Sequence, residues 1–237
     1  MTQGAIHDLW ARVVEFDYWP EIGSSTLDTL VMTGLSLLFT VLIGLPLGIA
    51  LFLTSWRQRS ERPVVARAQA WTYGALSFVV NVLRSVPFLI LLILLIPATR
   101  WLVGTSLGVQ GSIPPLVVAA APFFARLVEN LLREVDAGVF EACRAVGATT
   151  RQTVLWALLP ETLPGLLAAI TVTAIALVGY SAMSGVIGGD GLVDLAVRYG
   201  YQRFNTAVMI VTVAILIVLV QLIQFAGDRW VAHLSNR

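Results

Sequence analysis

The chain has 237 residues, of which 57% are hydrophobic and only 12% are charged, and its formal net charge is +1. Soluble domains carry about 25% charged residues, so this composition indicates a protein that lies mostly in membrane lipid. The sequence has no basic run that would suggest nucleic acid as a partner, and its lone cysteine, Cys143, excludes an internal disulfide bond. The two histidines lie near opposite ends of the chain, so we expect no metal site.

The hydrophobic stretches define the predicted elements in chain order. Residues 1–26 are amphipathic and do not match a cleavable signal peptide, so we expect an interfacial segment at the membrane surface. Five apolar stretches follow, each close to the roughly 20 residues that span a bilayer. The sequence predicts an all-α integral membrane protein, with one domain over residues 27–230 and a tail over 231–237. We expect its transmembrane helices at about residues 29–53, 71–96, 113–132, 163–183 and 206–225.

The arginines, which are the only basic residues besides histidine, are unevenly distributed along the chain. Nine fall in the loop after the first span, in the loop after the third span and in the C-terminal tail, against four in the other segments outside the spans. The positive-inside rule therefore predicts that the first group lies in the cytoplasm. It places the N-terminus outside and the C-terminus in the cytoplasm.

Some residues inside the spans are unusual for a lipid environment. In the first span Gly44, Pro46 and Gly48 are bunched, and we expect a kink or a close helix contact there. In the third span Arg126 stands three residues before Glu129, a spacing that predicts an ion pair along one helix face.

Arg84 lies in the middle of the second span, beside Pro87, which we expect to break the helix. An unpaired charge at this depth is costly. We therefore expect Arg84 to brace the helix bundle or to line a polar path, with Glu129 or a backbone carbonyl as its partner.

The stretch from residue 139 to residue 165 mixes charge with helical character between the third and fourth spans. Gly147 is predicted to end a short helix in the left-handed conformation. Thr149 and Gln152 have the spacing of a capping box, which restarts a helix at once. Pro160 and Pro164 are expected to close this second helix. The predicted shape, two helices around a sharp corner at the membrane surface, suits contact with a soluble partner.

This stretch resembles the EAA loop of bacterial ABC-importer permeases, through Glu141-Ala142-Cys143, Gly147 and Leu159-Pro160. Cys143 departs from the small Ala or Ser that is more usual in that loop. Further segments are similar to methionine-importer permeases, and the resemblance covers about residues 27–230. These segments are residues 84–88, 121–130, 179–183 and 224–229.

The resemblance implies an ABC type I importer permease fold in the bacterial inner membrane. It implies a homodimer that forms the translocation path, two cytoplasmic ATPase subunits that bind ATP and Mg, and an extracytoplasmic methionine-binding protein. The chain itself would bind no cofactor and hold no catalytic residue, and its sequence contains no phosphate-binding loop. Coupling to the ATPase is expected through a set of loop residues: Glu141, Ala142, Arg144, Gly147, Ala148 and Pro160.

The translocation path or its outer gate is expected at the end of the fourth span, with Tyr180, Ser181 and Met183, and at Arg84. The alternative for the first three is an interfacial tyrosine with ordinary helix packing. The glycine-rich run that follows would form a re-entrant loop in contact with the binding protein, and its Asp190 departs from the Gly/Ala loop of the family. The residues of this run are Gly188, Gly189, Asp190 and Gly191.

Other functions remain as alternatives. A secondary transporter would need coupling-ion chemistry, such as acids within the spans, but Asp28 and Glu129 both stand close to predicted interfaces. An embedded enzyme would need clustered His, Asp or Ser, which the sequence does not show. A permease for another amino acid or small solute stays open. So does the choice between L- and D-methionine, because the binding protein does much of the selection in this family.

Overall fold

The structure is a computed structural model that describes residues 18–56 and 63–235, and every regular element in those ranges is helical. The all-α fold class predicted from composition is confirmed. The first half of the described chain contains α1 (Trp19–Trp56), α2 (Pro63–Ser85), α3 (Phe88–Leu94), α4 (Ile96–Val103), α5 (Gly108–Glu134) and α6 (Ala137–Ala145). The second half contains α7 (Thr150–Gln152), π1 (Thr153–Leu158), α8 (Leu159–Glu161), α9 (Leu163–Val186), α10 (Leu192–Leu195), π2 (Ala196–Tyr201) and α11 (Thr206–Ser235).

Four of these helices, α1, α5, α9 and α11, are long and apolar enough to cross a membrane. The fifth candidate span is broken: residues 70–85 of α2 and the whole of α3 are together long and apolar enough for a span, but they are bent by 104°. The break falls at Val86 and Pro87, as predicted, because proline lacks the backbone donor and restrains the residue before it. The described chain therefore holds four continuous candidate spans and one bent pair.

The first helix begins earlier than its apolar stretch. We expected residues 1–26 to form a separate interfacial segment, but α1 runs without interruption from Trp19. Pro20 is compatible with this start because the first turn of a helix does not need its missing N–H. Of the expected segment, residues 1–17 lie outside the described residues, as do Arg57, Arg59 and Arg62 of the loop after the first span.

The described residues form two compact units. The first contains residues 18–36, 88–116 and 175–222. Its buried core includes Ile22, Leu192, Leu195, Ala207 and Val208. The second contains residues 37–87, 117–174 and 223 onwards. Its largest buried cluster is Phe52, Phe124, Val128, Leu132, Phe140, Val154, Leu158, Leu166 and Ala169.

Within the second unit, two glycines bring α1 against α5. A Cβ added at Gly48 would lie 2.5 Å from the carbonyl oxygen of Ala125, and one at Gly44 would lie 2.9 Å from that of Ala121. Any larger residue would push the helices apart, so the close contact expected at these glycines is present. Pro46 lies inside α1 without ending it.

Candidate functional site

The loop between α5 and α9 lies in the second unit and begins with a capped helix. Asp136 caps α6 by accepting a hydrogen bond from the backbone N–H of Gly138 at 2.6 Å. Gly147 follows the end of α6 in the left-handed conformation, with φ +72°. The N–H of Ala148 then donates to the carbonyl of Cys143 at 2.9 Å. The predicted helix end at Gly147 is confirmed, because a side chain there would be strained by that φ.

The second helix of the loop starts at the predicted capping box. The backbone N–H of Gln152 donates to the hydroxyl of Thr149 at 3.3 Å, and the N–H of Thr149 donates to the side-chain oxygen of Gln152 at 2.8 Å. These reciprocal bonds satisfy donors that the first turn would otherwise leave free. Thr149 and Gln152 therefore fix where the second helix of the loop begins, through hydrogen bonds between neighbouring residues.

The end of this second helix differs from the prediction. The chain continues from α7 into the π-helical turn π1, and Pro160 lies in the first turn of α8 rather than closing a helix. Pro164 likewise stands at the second position of α9. Proline is tolerated in a first turn, where its missing N–H has no intrahelical acceptor to bond. The two prolines therefore begin helices.

Buried apolar side chains anchor the loop to the spans of the same unit. Phe140, Val154 and Leu158 are buried in a cluster with Val128 and Leu166, which belong to α5 and α9. The loop is therefore not a free connection. A displacement of α6 or π1 must move the helices that they contact, because a close-packed cluster transmits strain.

The opposite face of the loop is open to solvent. Most of the predicted coupling residues lie there: Glu141, Ala142, Arg144, Gly147 and Pro160 are exposed, whereas Ala148 is half-buried. Two apolar residues that the sequence analysis did not single out are also exposed, Val146 at 81% and Trp156 at 75%. Exposed apolar residues beside charged ones are typical of surfaces that bind another protein.

A second cluster of polar side chains lies between α2 and α5, also within the second unit. Glu129 is 1% exposed and accepts hydrogen bonds from Arg126 and Arg133, each at 2.6 Å. The hydroxyl of Tyr73 donates to the same carboxylate at 3.1 Å. The ion pair predicted between Arg126 and Glu129 is confirmed, and the second arginine explains how a carboxylate can stay buried here.

Arg126 also reaches across to α2. One of its terminal nitrogens donates to the hydroxyl of Ser77 at 2.8 Å and to the side-chain oxygen of Asn81 at 2.9 Å. Arg84 lies on an exposed face of α2, with its guanidinium carbon 6.0 Å from the ring centroid of Phe123. Its interaction is therefore with an aromatic face, whereas the carboxylate expected as its partner is bonded by the two arginines of α5.

The residues predicted for the path at the end of α9 lie in the first unit and differ in exposure. Tyr180 is half-buried and stacks on Phe88, with ring centroids 5.0 Å apart. Met183 is exposed at 47%. Ser181 is buried, and its hydroxyl donates to the carbonyl of Val178 at 2.8 Å. Of the three, Met183 and Tyr180 expose side-chain surface, whereas the hydroxyl of Ser181 is already hydrogen-bonded to the backbone.

The glycine-rich run after α9 needs unusual backbone angles. Gly188, Asp190 and Gly191 have φ values of +89°, +58° and +92°. The left-handed conformation is easy for glycine and uncommon for other residues, although aspartate tolerates it better than most. Asp190 is the half-buried polar residue of this run, and Gly189 and Gly191 are buried.

Hydrogen bonds within the first unit hold this run in place. The N–H of Gly108 donates to the carbonyl of Gly188 at 2.9 Å, and the N–H of Leu192 donates to the hydroxyl of Thr29 at 2.9 Å. The hydroxyls of Ser112 and Ser184 lie 2.5 Å apart. The partners Ser112 and Thr29 were not identified from the sequence, because their spacing from Ser184 and Leu192 along the chain carries no local signal.

The chain matches a family model described as "Binding-protein-dependent transport system inner membrane component" over residues 63–237. This model covers more than half of the chain, so the chain belongs to that family of multi-pass inner-membrane permeases. Its relatives include a probable D-methionine transport system permease protein MetI from Vibrio cholerae, 44% identical over 90% of this chain and 92% of the relative. The methionine import system permease protein MetP from Bacillus subtilis is 46% identical over 75% of this chain and 77% of the relative.

Solved structures agree with the family. A chain of the inward-facing MetNI methionine ABC transporter is similar with a TM-score of 0.83 and 48% identity, covering 90% of this chain and 95% of that chain. An amino acid ABC transporter with histidines shares the fold with a TM-score of 0.71 at 21% identity. The ABC type I importer permease fold expected from the resemblance is therefore confirmed.

Proposed function

We propose that this chain is the permease subunit of an ATP-driven methionine importer in the bacterial inner membrane. The observation that carries the proposal is the 48% identity to a chain of the MetNI methionine transporter over 90% of this chain. The methionine permeases of Vibrio cholerae and Bacillus subtilis support the same substrate. L- and D-methionine are both candidates, and an importer for another amino acid is the second candidate function.

The proposed assembly is a homodimer of this chain with two cytoplasmic ATPase subunits and an extracytoplasmic methionine-binding protein. One chain with four continuous candidate spans and one bent pair has few helices with which to enclose a path for an amino acid, and two copies double that number. The chain contributes no catalytic residue and binds no cofactor, since ATP and Mg bind to the ATPase subunits. The N-terminus lies outside and the C-terminus in the cytoplasm, as the arginine distribution predicts.

Coupling to the ATPase is assigned to the loop between α5 and α9. Its exposed face, with Glu141, Ala142, Arg144 and Gly147, would contact the ATPase, and Pro160 and Ala148 would shape the loop. Its buried face joins the cluster that contains Phe140, so closure of the ATPases would move α5 and α9 with the loop. This arrangement fits rigid-body rocking of the two permease copies.

The path and the outer contact follow the sequence prediction, refined by burial. Met183 and Tyr180 would line the path or its gate, and Ser181 would support α9, the helix that carries both. Arg84 on α2 is the further residue proposed for the path. The run from Gly188 through Gly189 to Gly191 would hold Asp190 towards the binding protein. The flexible thioether of Met183 suits an adaptable gate.

The test is ATP-dependent uptake of labelled methionine into proteoliposomes that contain the permease, its ATPase and the loaded binding protein, with both stereoisomers assayed. Gly147→Asp is the test variant, because position 147 is exposed with nothing within 4 Å of an added Cβ, so the new carboxylate would lie on the proposed coupling surface. We expect uptake by the wild type and at least a tenfold loss in a variant that still inserts and dimerises.

Other outcomes would redirect the proposal. Stimulation of the ATPase by a binding protein loaded with a different solute, without methionine uptake, would keep the architecture and replace the substrate. Uptake that needs no ATPase would contradict the importer and favour a secondary transporter.

A further inference from the structure

Positive charge exceeds negative charge where α2 meets α5 in the second unit. Glu129 is the buried carboxylate of this region, and Arg126 and Arg133 both bond to it. Arg84 adds a third guanidinium, and among the described residues it makes no ion pair. Residues 70–85 and α5 both belong to candidate membrane spans. The region therefore carries a cation that its own carboxylate does not neutralise.

Arg84 and Arg126 border one strip of surface. Asn81 accepts a hydrogen bond from Arg126 at 2.9 Å, and Arg84 follows Asn81 by one helical turn. On α5, Phe123 precedes Arg126 by one turn, and its ring centroid lies 6.0 Å from the guanidinium carbon of Arg84. Residues three apart on a helix are neighbours on its surface, so the two contacts place both guanidiniums and the Asn81 amide along the same seam.

Unused donors are present along this seam. Arg126 bonds to Glu129, Ser77 and Asn81 through three of the five N–H groups of its guanidinium. Asn81 and Arg84 are exposed. Lipid tails cannot compensate a guanidinium within a membrane span, and charged groups in such segments mark substrate or ion pathways. Guanidiniums bind carboxylates and phosphates through charge-assisted hydrogen bonds, and of these two groups an amino acid carries the carboxylate.

We propose that Asn81, Arg84 and Arg126 form a subsite for the α-carboxylate of the transported amino acid during its passage. The inference rests on the proposed function and adds to it the chemical group that the permease recognises. Because the subsite binds the carboxylate, which all amino acids share, it leaves discrimination between side chains to other parts of the transporter. Arg126 is held in place by Glu129, and Arg84 is the freer of the two guanidiniums.

The lysine-free sequence allows a direct test of carboxylate proximity. In Arg84→Lys, a water-soluble carbodiimide activates the carboxylate of labelled methionine, and the lysine amine displaces the urea to form an amide. The reaction is run in proteoliposomes with ATPase, binding protein and ATP during transport. Arg67→Lys is the matched control, since Arg67 is exposed on the same helix about 25 Å away at 1.5 Å per residue.

We expect position 84 to be labelled about tenfold more than position 67, with the label lost when ATP is omitted or unlabelled methionine is in excess. Asn81→Lys is the second variant and should be labelled in the same way if Arg84→Lys does not assemble. Equal labelling of positions 84 and 67, or no label at 84 and 81 while wild-type liposomes take up methionine, overturns the subsite.

Uptake measurements separate the subsite from a structural role. Loss of a charge-assisted hydrogen bond predicts that Arg84→Gln lowers methionine uptake by about tenfold, while ATP hydrolysis stimulated by the binding protein persists. Arg84→Lys should retain most of the uptake because it keeps the charge. Equal uptake by Arg84→Gln and wild type contradicts the subsite. Wild-type liposomes without methionine uptake would instead contradict the proposed function, so the two failures are distinguishable.

Discussion

Two loops that follow membrane-spanning helices are stabilised in opposite ways. The proposed coupling loop, residues 136–161, buries Phe140, Val154 and Leu158 beneath an exposed face. The glycine run, residues 188–191, is held by backbone hydrogen bonds and by side chains such as Thr29 that come from distant parts of the chain. The first loop can keep its fold while its surface changes, whereas the second has little surface to change. The first design lets a contact surface vary on a fixed base, whereas the second fixes the backbone itself.

Phe140→Ala should produce the largest effect, because it removes the anchor beneath the coupling loop. A buried phenylalanine truncated to alanine costs about 3–5 kcal/mol. We expect a large drop in the unfolding temperature of the purified transporter, together with loss of ATP-coupled uptake. Phe204→Ala is the control, since Phe204 is 88% exposed in the first unit. A similar drop in both variants would show that the cluster does not anchor the loop.

Gly189→Ala tests the tight packing of the glycine run. A Cβ at Gly189 would lie 2.6 Å from the hydroxyl oxygen of Ser112, so the hydroxyl pair would have to move. Overpacking of this kind costs about 1–3 kcal/mol, which thermal unfolding should detect. Gly179→Ala is the matched control in α9, where a Cβ meets nothing within 4 Å. Equal unfolding temperatures for the two alanine variants would contradict the tight packing of the glycine run.

Thr149→Ala should have a smaller effect, confined to the coupling loop. It removes the hydroxyl that accepts from the N–H of Gln152, and loss of such a cap costs about 1 kcal/mol. We expect faster hydrogen exchange at the start of α7 and a modest loss of uptake. Thr149→Ser keeps the hydroxyl and should behave as wild type. If the hydrogen-exchange protection at the start of α7 were unchanged in Thr149→Ala, the corner would not depend on its cap.

Val146→Asp should change stability least, by no more than about 0.5 kcal/mol, because the side chain is exposed. If this apolar residue is part of the ATPase contact, the affinity of the permease for the ATPase should fall by about tenfold. Purified subunits can be titrated to measure it. Gln202→Asp introduces the same charge at an exposed position of the first unit. Equal affinities in both variants would remove Val146 from the coupling surface.

Local features of the coupling loop could be predicted because they depend on neighbouring residues. The capping box at Thr149 and Gln152 and the left-handed Gly147 involve chain separations of five residues or fewer. The same holds for the ion pair of Arg126 with Glu129, three residues apart. The prolines at 160 and 164 were misassigned because proline disrupts a helix interior but fits a first turn, and the surroundings decide which applies.

Contacts between distant segments could not be predicted in this way. Arg133 and Tyr73 share the carboxylate of Glu129, although 60 residues separate the two in sequence. The hydroxyl of Thr29 accepts a hydrogen bond from the N–H of Leu192, which lies 163 residues away in sequence. The residues around a hydroxyl or a tyrosine within a span do not indicate which distant residue it bonds to. Such partners become visible only when helices are packed together.

The sequence by itself determined the membrane class, the helical content, the approximate spans and the helix–corner–helix loop. These follow from hydrophobic length and capping chemistry, which are properties of contiguous segments of the chain. Only the tertiary structure decided which side chains of the loop are buried, how tightly the glycine run is packed and where positive charge remains uncompensated. The physical reason is that burial and pairing depend on the other helices, whose approach is set by small residues such as Gly48 and by buried polar partners such as Glu129.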